Sequence, residues 1–240
     1  FHNHNLAESV SAIRASVNED SLITQASGNV DDLDRASNML LRRLREWYEL
    51  YLPELSASIE SNEAFIQLIS EKDRKHLLAT LKLSENETMG SPLKEVDMKQ
   101  ILALASEISR LSDLREKHLA YIETIMSSYC PNLKEFCGTS LGAKLLVKAG
   151  SLQKLACLPS STIQLLGAEK ALFRHLTRKA RPPKHGLILQ HPFVQNAAKQ
   201  NRGKAARILA DKISMCARLD FFHGEFLAPK YKKEIEGKLK

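Results

Sequence analysis

Twelve lysines and arginines and one acid, Asp211, fall between Lys170 and Arg218, about +11 in formal charge over 49 residues. The first 164 residues carry 18 basic and 22 acidic side chains, so the net charge of +7 averages two opposite populations. A basic segment this dense suits a polyanion, because each Lys or Arg that neutralises a phosphate releases a condensed counterion. The competing reading is a solvated basic face with no ligand. Against it, glycines, prolines and histidines punctuate the block, among them Pro182, Pro183, His185, Gly186 and Gly203, as a shaped surface requires.

Other chemistry has little to draw on. Ser160, Ser161, His175, His185, His191 and Asp211 could be drawn as a nucleophile, base and acid, but no GxSxG elbow surrounds a serine. Neither HExxH nor a GxxxxGK phosphate loop occurs. Acids for proton transfer are nearly missing where the unusual residues concentrate, and Glu169 reads as a helix N-terminal acid favoured by the dipole. No enzyme activity, metal or cofactor is expected. Cys130, Cys137, Cys157 and Cys216 are too far apart for a CxxC knuckle and read as reduced core thiols. No apolar run approaches the roughly 20 residues that span a bilayer, and no secretory signal precedes the chain, so no membrane partner is expected. The first residue is Phe1 and not Met, and Phe1–Asn5, with His2 and His4, reads as linker sequence without a metal role.

The elements that must position the basic block are helical in pattern. Leu33, Ser37, Leu40, Leu44, Trp47 and Tyr51 follow a heptad seam, which Pro53 kinks and which resumes through Leu55, Ile59, Asn62, Ile66 and Ile69. This predicts one long helix over 33–81, about 70 Å at 1.5 Å per residue. Ser84–Pro92 is a turn. A second seam follows through Leu104, Ile108, Leu111, Arg115, His118, Ile122 and Ile125, ended by Cys130-Pro131. The expectation is an all-α chain: residues 1–32 a linker or N-terminal remnant, 33–128 an antiparallel coiled-coil hairpin, and 129–240 a compact helical domain. A hairpin buries one seam internally, so a homodimer through the coiled coil is expected, with Leu104, Ile108 and Leu111 as dimerisation residues. Beyond Pro131, short amphipathic pieces are separated by Gly138, Gly150 and Pro159, and Ser160–Thr162 offer N-cap oxygens. Gly186–Leu189 reads as a β-like stretch, Gly203–Asp220 as a helix with Ala206, Leu209, Ala210, Ile213 and Ala217 on its apolar face, and the tail from Pro229 as a fraying helix.

Three runs in order carry a resemblance: Gly167–Leu176 (GAEKALFRHL), Pro182–Pro192 (PPKHGLILQHP) and Arg202–Asp220 (RGKAARILADKISMCARLD). They resemble the Nop domain, shared by the archaeal box C/D ribonucleoprotein scaffold, eukaryotic nucleolar Nop proteins and a spliceosomal relative. Leu44–Leu55 (LREWYELYLPEL) is similar to the start of that family's coiled coil, and the likeness covers residues 8–236. The unbroken GAEKALFRHL looks most like the archaeal scaffold. The resemblance implies an RNA-binding scaffold that recognises a kink-turn in box C/D guide RNA together with a ribosomal-protein-like binder already on it. It also implies support of 2′-O-methylation by the methyltransferase fibrillarin in an archaeal cytoplasm. The archaeal scaffold holds fibrillarin through an N-terminal domain, and nothing before Leu33 is long enough to be that domain, so the chain is expected to be a fragment. The implied RNA-binding residues are Lys170, Arg174, Lys184, His185, Arg202, Lys204, Arg207 and Arg218, with Lys184 and His185 both open for the base contact. The implied protein-partner surface is Glu169, Gln190, His191 and Pro192. A spliceosomal-type Nop protein, or a coiled-coil adaptor without a role in methylation, is the alternative.

Overall fold

The computed structural model describes residues 2–237; Phe1 and residues 238–240 lie outside the described residues, as does that end of the predicted linker and domain. Among the described residues every regular element is helical. The chain divides into two compact units, one of residues 29–117 and one joining the residues up to Gly28 with those from His118 onward. The division falls inside the two longest helices, α2 (Glu19–Tyr48) and α6 (Glu95–Tyr129). Helix α1 (His2–Ala15) precedes them, with Leu6, Val10 and Ile13 exposed, and α2 starts at Glu19, not at Leu33.

In the 29–117 unit, α2 and α6 run antiparallel: Asp34 meets Arg115 at 2.5 Å near one end, and Ser91 N–H donates to the Leu50 carbonyl at 3.0 Å near the other. The expected single helix over 33–81 is broken. After Tyr48 the chain turns, then forms α3 (Pro53–Ser58), α4 (Asn62–Glu71) and α5 (Arg74–Leu81). Pro53 is not an interior kink but the first residue of α3, where its missing N–H costs nothing. Ser61 caps α4 through Ala64 N–H, and Lys82 in a left-handed conformation ends α5. Two arginines satisfy carbonyls exposed by these breaks. Arg45 donates to Ser56 and Ile59 carbonyls from above the Phe65 ring, and Arg74 to Tyr51 and Gly90 carbonyls from above the Tyr51 ring.

The core of this unit joins Leu41, Leu44 and Tyr48 of α2, Phe65, Ile69 and Leu77 of the short helices, and Ile101, Ala105 and Ile108 of α6. The seam predicted on α2 is therefore one position off at its end, with Tyr48 buried and Trp47 exposed. Of the expected dimer residues Leu104, Ile108 and Leu111, the structure removes Ile108 and leaves Leu111 half-buried. Ile108 is fully enclosed in the chain's own core and Leu104 packs against it, because the inward seam of α6 is filled by α2 and the short helices.

The second unit is built around α13 (Arg202–Phe221). Its buried face is mostly small: Ala205, Ala206, Leu209, Ala210, Ile213, Cys216 and Ala217. Alanines let α7 (Pro131–Cys137), α9 (Leu152–Cys157) and α10 (Ser160–Leu165) approach closely. Helix α8 (Thr139–Ala149) packs on α7 and α9. The expected fraying tail is instead a packed helix, α14 (Ala228–Glu236), with Ala228, Tyr231 and Ile235 buried. Lys212 of α13 holds it, lying 4.3 Å from the Tyr231 ring centre and 2.5 Å from Glu234.

Short helices leave unpaired N-terminal N–H groups, and here several are buried. Asp220, near the end of α13, accepts from the Asn132 N–H at 2.9 Å and the Leu133 N–H at 2.8 Å at the start of α7, where Cys130 offers no side-chain cap. Asn132 in turn accepts from Leu227 and Ala228 N–H at the start of α14. Asp20 of α2 accepts from Leu152 N–H at the start of α9 and from the Tyr129 hydroxyl. Ser160–Thr162 provide no cap oxygen, since Pro159 occupies the N-cap of α10; Ser151 does so for α9. Cys130, Cys137 and Cys216 are buried thiols, whereas Cys157 is exposed, which corrects its assignment to the core.

Asp220→Ala should strand buried donors on α7 and lower stability by roughly 2–4 kcal/mol, at 1–3 kcal/mol for each group left unsatisfied. Urea denaturation checks this. Asp211→Ala, an exposed acid on the same helix, should cost less than about 0.5 kcal/mol.

Candidate nucleic-acid interface

Residues 167–185 leave the second unit and return to it through a narrow neck. Gly186 N–H donates to the Gln164 carbonyl at 2.8 Å and Leu187 N–H to the Leu166 carbonyl at 2.7 Å. A Cβ on Gly186 would sit 1.9 Å from the Leu166 oxygen, so only glycine fits there. On the other side of the neck Gly167 has φ +85°, and a Cβ there would meet the Leu187 side chain at 2.6 Å. The expected β-like run Gly186–Leu189 is corrected. Its first residues pair with the backbone of α10's exit, but Leu187–Gln190 closes into a 3₁₀ turn, since one short segment has no partner strand to extend it.

The excursion carries α11 (Glu169–Arg178), none of whose residues is buried. At its start the Glu169 carboxylate reaches back to accept from Gly167 N–H at 2.6 Å, and that bond holds its pKa below the usual carboxylate value. Its end turns at Lys179, and His175 Nδ1 donates to the Ala180 carbonyl. Phe173 and Leu176 stand 67% and 73% exposed, beside exposed Lys170 and Arg174. A ten-residue helix presenting both charge and large apolar side chains to solvent has a recognition surface and no core of its own.

The loop behind α11 returns its basic residues to α13. Gln164 holds the Lys184 carbonyl at 2.6 Å, and the Lys184 stem passes Gly203 at the start of α13. Lys184 thus lies beside Gly203 on α13, the helix that also carries exposed Lys204 and Arg207. Among the described residues no acid pairs with Lys170, Lys184, Lys204 or Arg207. Their charges are available to a ligand. His185, half-buried, lies next to Lys184 on this loop.

Other members of the basic block are committed inside the fold. Arg202 donates to the Ala197 and Gln195 carbonyls at the end of α12 (Pro192–Gln195). Lys212 is buried against Glu234. Arg218 uses Nε on the Ala156 carbonyl at 3.1 Å while its side chain stays largely exposed. Charge counting cannot separate these roles; hydrogen-bond partners do.

The expected protein-partner residues come from two segments. Glu169 sits on α11, while His191 and Pro192 line a cavity of about 810 Å³ among α7, α12 and α14 with Phe136, Phe193 and Ile235. His191 is a structural residue. Its Nδ1 accepts from Phe193 N–H and caps α12, and its Nε2 donates to the Phe136 carbonyl, both at 3.1 Å. Gln190 is exposed beside it. Sequence reasoning passed over Phe173 and Leu176, whose signal was an apolar pair within a strongly basic run, a pattern shared by buried amphipathic helices.

The family model described as "Nop: snoRNA binding domain, fibrillarin" matches residues 29–240. Over 224 residues the chain is 39% identical to an uncharacterized NOP5 family protein of Methanocaldococcus jannaschii, covering 88% of this chain and 54% of that protein. Over 215 residues it is 40% identical to nucleolar protein 58 of Schizosaccharomyces pombe, covering 84% of this chain and 42% of that protein. The chain thus spans about half the length of the curated relatives it matches. A crystal structure of a fibrillarin/Nop5p complex is similar with a TM-score of 0.57 and 28% identity, covering 92% of this chain and 70% of that chain.

Burial holds His191 below its ordinary pKa of 6.5, outweighing the hydrogen bond to Phe136, which favours the proton. The unfolded chain therefore takes up a proton at this site at higher pH than the folded chain. The stability contributed by neutral His191 is present above about 6.5 and is lost as pH falls through the lower folded value. The stability gap between the natural chain and His191→Asn, measured by urea denaturation, should narrow from pH 7.5 to 5.5. A gap that widens would contradict the neutral, capping role.

Proposed function

The chain belongs to the Nop family, and from that premise we propose that it is an RNA-binding scaffold of a box C/D guide ribonucleoprotein. It recognises a kink-turn RNA together with a ribosomal-protein-like protein bound to that RNA, and supports guide-directed 2′-O-methylation by fibrillarin without catalysing it. The observation that carries this reading is the mixture on α11, where exposed Lys170 and Arg174 stand beside exposed Phe173 and Leu176, with further exposed cations on the Lys184 loop and at the start of α13. Unpaired Lys170, Lys184, Lys204 and Arg207 can neutralise phosphates, while exposed Phe173 and Leu176 on α11 can cover apolar protein surface or an unstacked base. An RNA with a protein already on it offers partners for both, phosphate to the cations and apolar protein surface to the two large side chains. Kinked RNA is read by shape, stacking and phosphate contacts more than by a base code, which suits a surface of cations and rings. The archaeal relative supports placing the particle in a cell without a nucleus.

Two further partners follow from the same premise. The solved relative is a fibrillarin/Nop5p complex, which supports fibrillarin as the enzyme of the particle. Two copies of the chain pair through the 29–117 unit, and exposed Met39, Trp47 and Leu114 there replace the inward seam as the pairing surface. Sedimentation at micromolar concentration should give a dimer that Trp47→Asp weakens; a natural chain that sediments as a monomer ends this part of the reading.

A gel shift with kink-turn RNA, with and without its bound protein, tests the composite site. Binding should be strong only with both present, and Arg207→Ala or Lys170→Ala should each weaken it by about 1–3 kcal/mol if the side chain makes a bidentate or stacked contact. Circular dichroism should not change. Equal binding to bare RNA, or normal binding by both variants, defeats the composite reading.

A further inference from the structure

The outward side of α13 is not exhausted by the cations already discussed. Lys204, Arg207, Asp211, Met215, Arg218 and Phe222 follow one another at helical spacings of three and four and are all exposed. They form one stripe along the whole helix, roughly 27 Å long at 1.5 Å per residue. The stripe begins in cations beside Lys184 and ends in an aromatic ring that is 71% exposed. A phenylalanine this open, at the end of a helix whose other face is packed, is not part of any core.

The ring is also held in place. Phe222 N–H donates to the Arg218 carbonyl at 2.9 Å, and Gly224 N–H to the Leu219 carbonyl at 2.7 Å, which closes the helix end. Asn132 fixes the following loop from both sides, donating to the Glu225 carbonyl and accepting from Leu227 N–H. Phe221 meets Phe222 edge-on, with ring centres 5.0 Å apart at 73°. One helical turn away, Arg218 is tethered through Nε to the Ala156 carbonyl, so its guanidinium is pre-oriented at the surface. An exposed ring one helical turn from an exposed arginine suits single-stranded nucleic acid, in which a base can stack on the ring and a backbone phosphate can meet the cation.

We propose that the Arg218–Phe222 end of α13 binds an unpaired nucleotide of the RNA, with Phe222 as a stacking platform and Arg218 as its phosphate contact. The proposal rests on the RNA-binding reading above, in which the resemblance already implies Arg218, and adds the Phe222 ring as a stacking contact away from α11 and the Lys184 loop. An RNA occupant is favoured over a protein one because the ring continues a stripe of cations, with Asp211 the single acid along it.

The full chain carries one tryptophan, Trp47, so Phe222→Trp in a Trp47→Phe background places a reporter at the site. A single-stranded oligoadenylate of about 12 nucleotides, within the usual range of single-strand site sizes, should quench the introduced indole. Phe222→Ala and Phe222→Leu should each weaken oligoadenylate binding about tenfold, since base–ring stacking is worth about 1–3 kcal/mol. Assembly with protein-bound kink-turn RNA should tolerate Phe222→Ala but not Lys170→Ala. If the natural chain binds oligoadenylate while the indole is not quenched and Phe222→Ala binds equally well, this proposal fails and the kink-turn reading stands. If Phe222→Ala spares oligoadenylate binding but disrupts the protein-bound assembly, the ring belongs to a protein interface and the proposal fails. A natural chain that binds no RNA in any of these forms removes both readings.

Discussion

The second unit depends on how it satisfies the N-termini of short helices. A domain assembled from pieces as short as α7 and α9 multiplies helix ends, and each end that turns inward brings N–H donors without partners. Local capping is used where the chain permits, as at Ser151. Elsewhere the acceptor comes from far along the chain: Asp220 to α7, Asn132 to α14 and Asp20 to α9. Each of these bonds does two things. It removes a desolvation cost of roughly 1–3 kcal/mol per donor, and it fixes the position of one helix relative to another. Burial pushes the Asp220 carboxyl above its ordinary pKa, with the N–H groups of Leu133 and Asn132 pulling the other way.

That constraint explains why α13 can serve as both spine and surface. Its inner face is alanine-rich and fully enclosed, and Asp220 ties its end to α7, so the helix cannot rotate to hide its outer side chains. The basic block is therefore sorted by geometry rather than by charge. Lys212 faces inward to an acid and a ring, Arg202 closes the end of α12, and Arg218 is half committed. Lys170, Lys184, Lys204 and Arg207 are left to act on something outside the chain. A ligand meets fewer cations than composition suggests.

The parts legible in the sequence were those where local pattern and tertiary role agree. The α13 helix and its buried residues follow from an alanine- and leucine-lined period, and α6 ends where Cys130-Pro131 says it should. The failures have one cause: periodicity records which residues are buried, not where the chain reverses. Leu55 and Ile69 keep a helical seam in phase with α2, yet they sit on separate short helices that fold back onto the same core. Trp47 and Tyr48 are both large, and only packing decides that Tyr48 goes in. The sequence could not show that Ile108 is already covered by its own chain, because an inward seam and a dimer seam look alike. His191 was legible as an unusual residue but not as a cap, since its partner carbonyl at Phe136 is distant in sequence.

Helix α11 shows what the proposed ligand must supply. A ten-residue helix in isolation falls below the roughly 12–15 residues at which helices become even marginally stable in water, and this one buries none of its residues. What holds it within the chain is local: Glu169 against Gly167 at one end, His175 against Ala180 at the other, and a neck that glycine alone can form. These are enough to set its direction but not to cover Phe173 and Leu176. Covering those two side chains would gain about 1.5–3 kcal/mol each by the usual apolar transfer values. The proposed composite of RNA and bound protein would supply both, phosphate to the cations and apolar surface to Phe173 and Leu176.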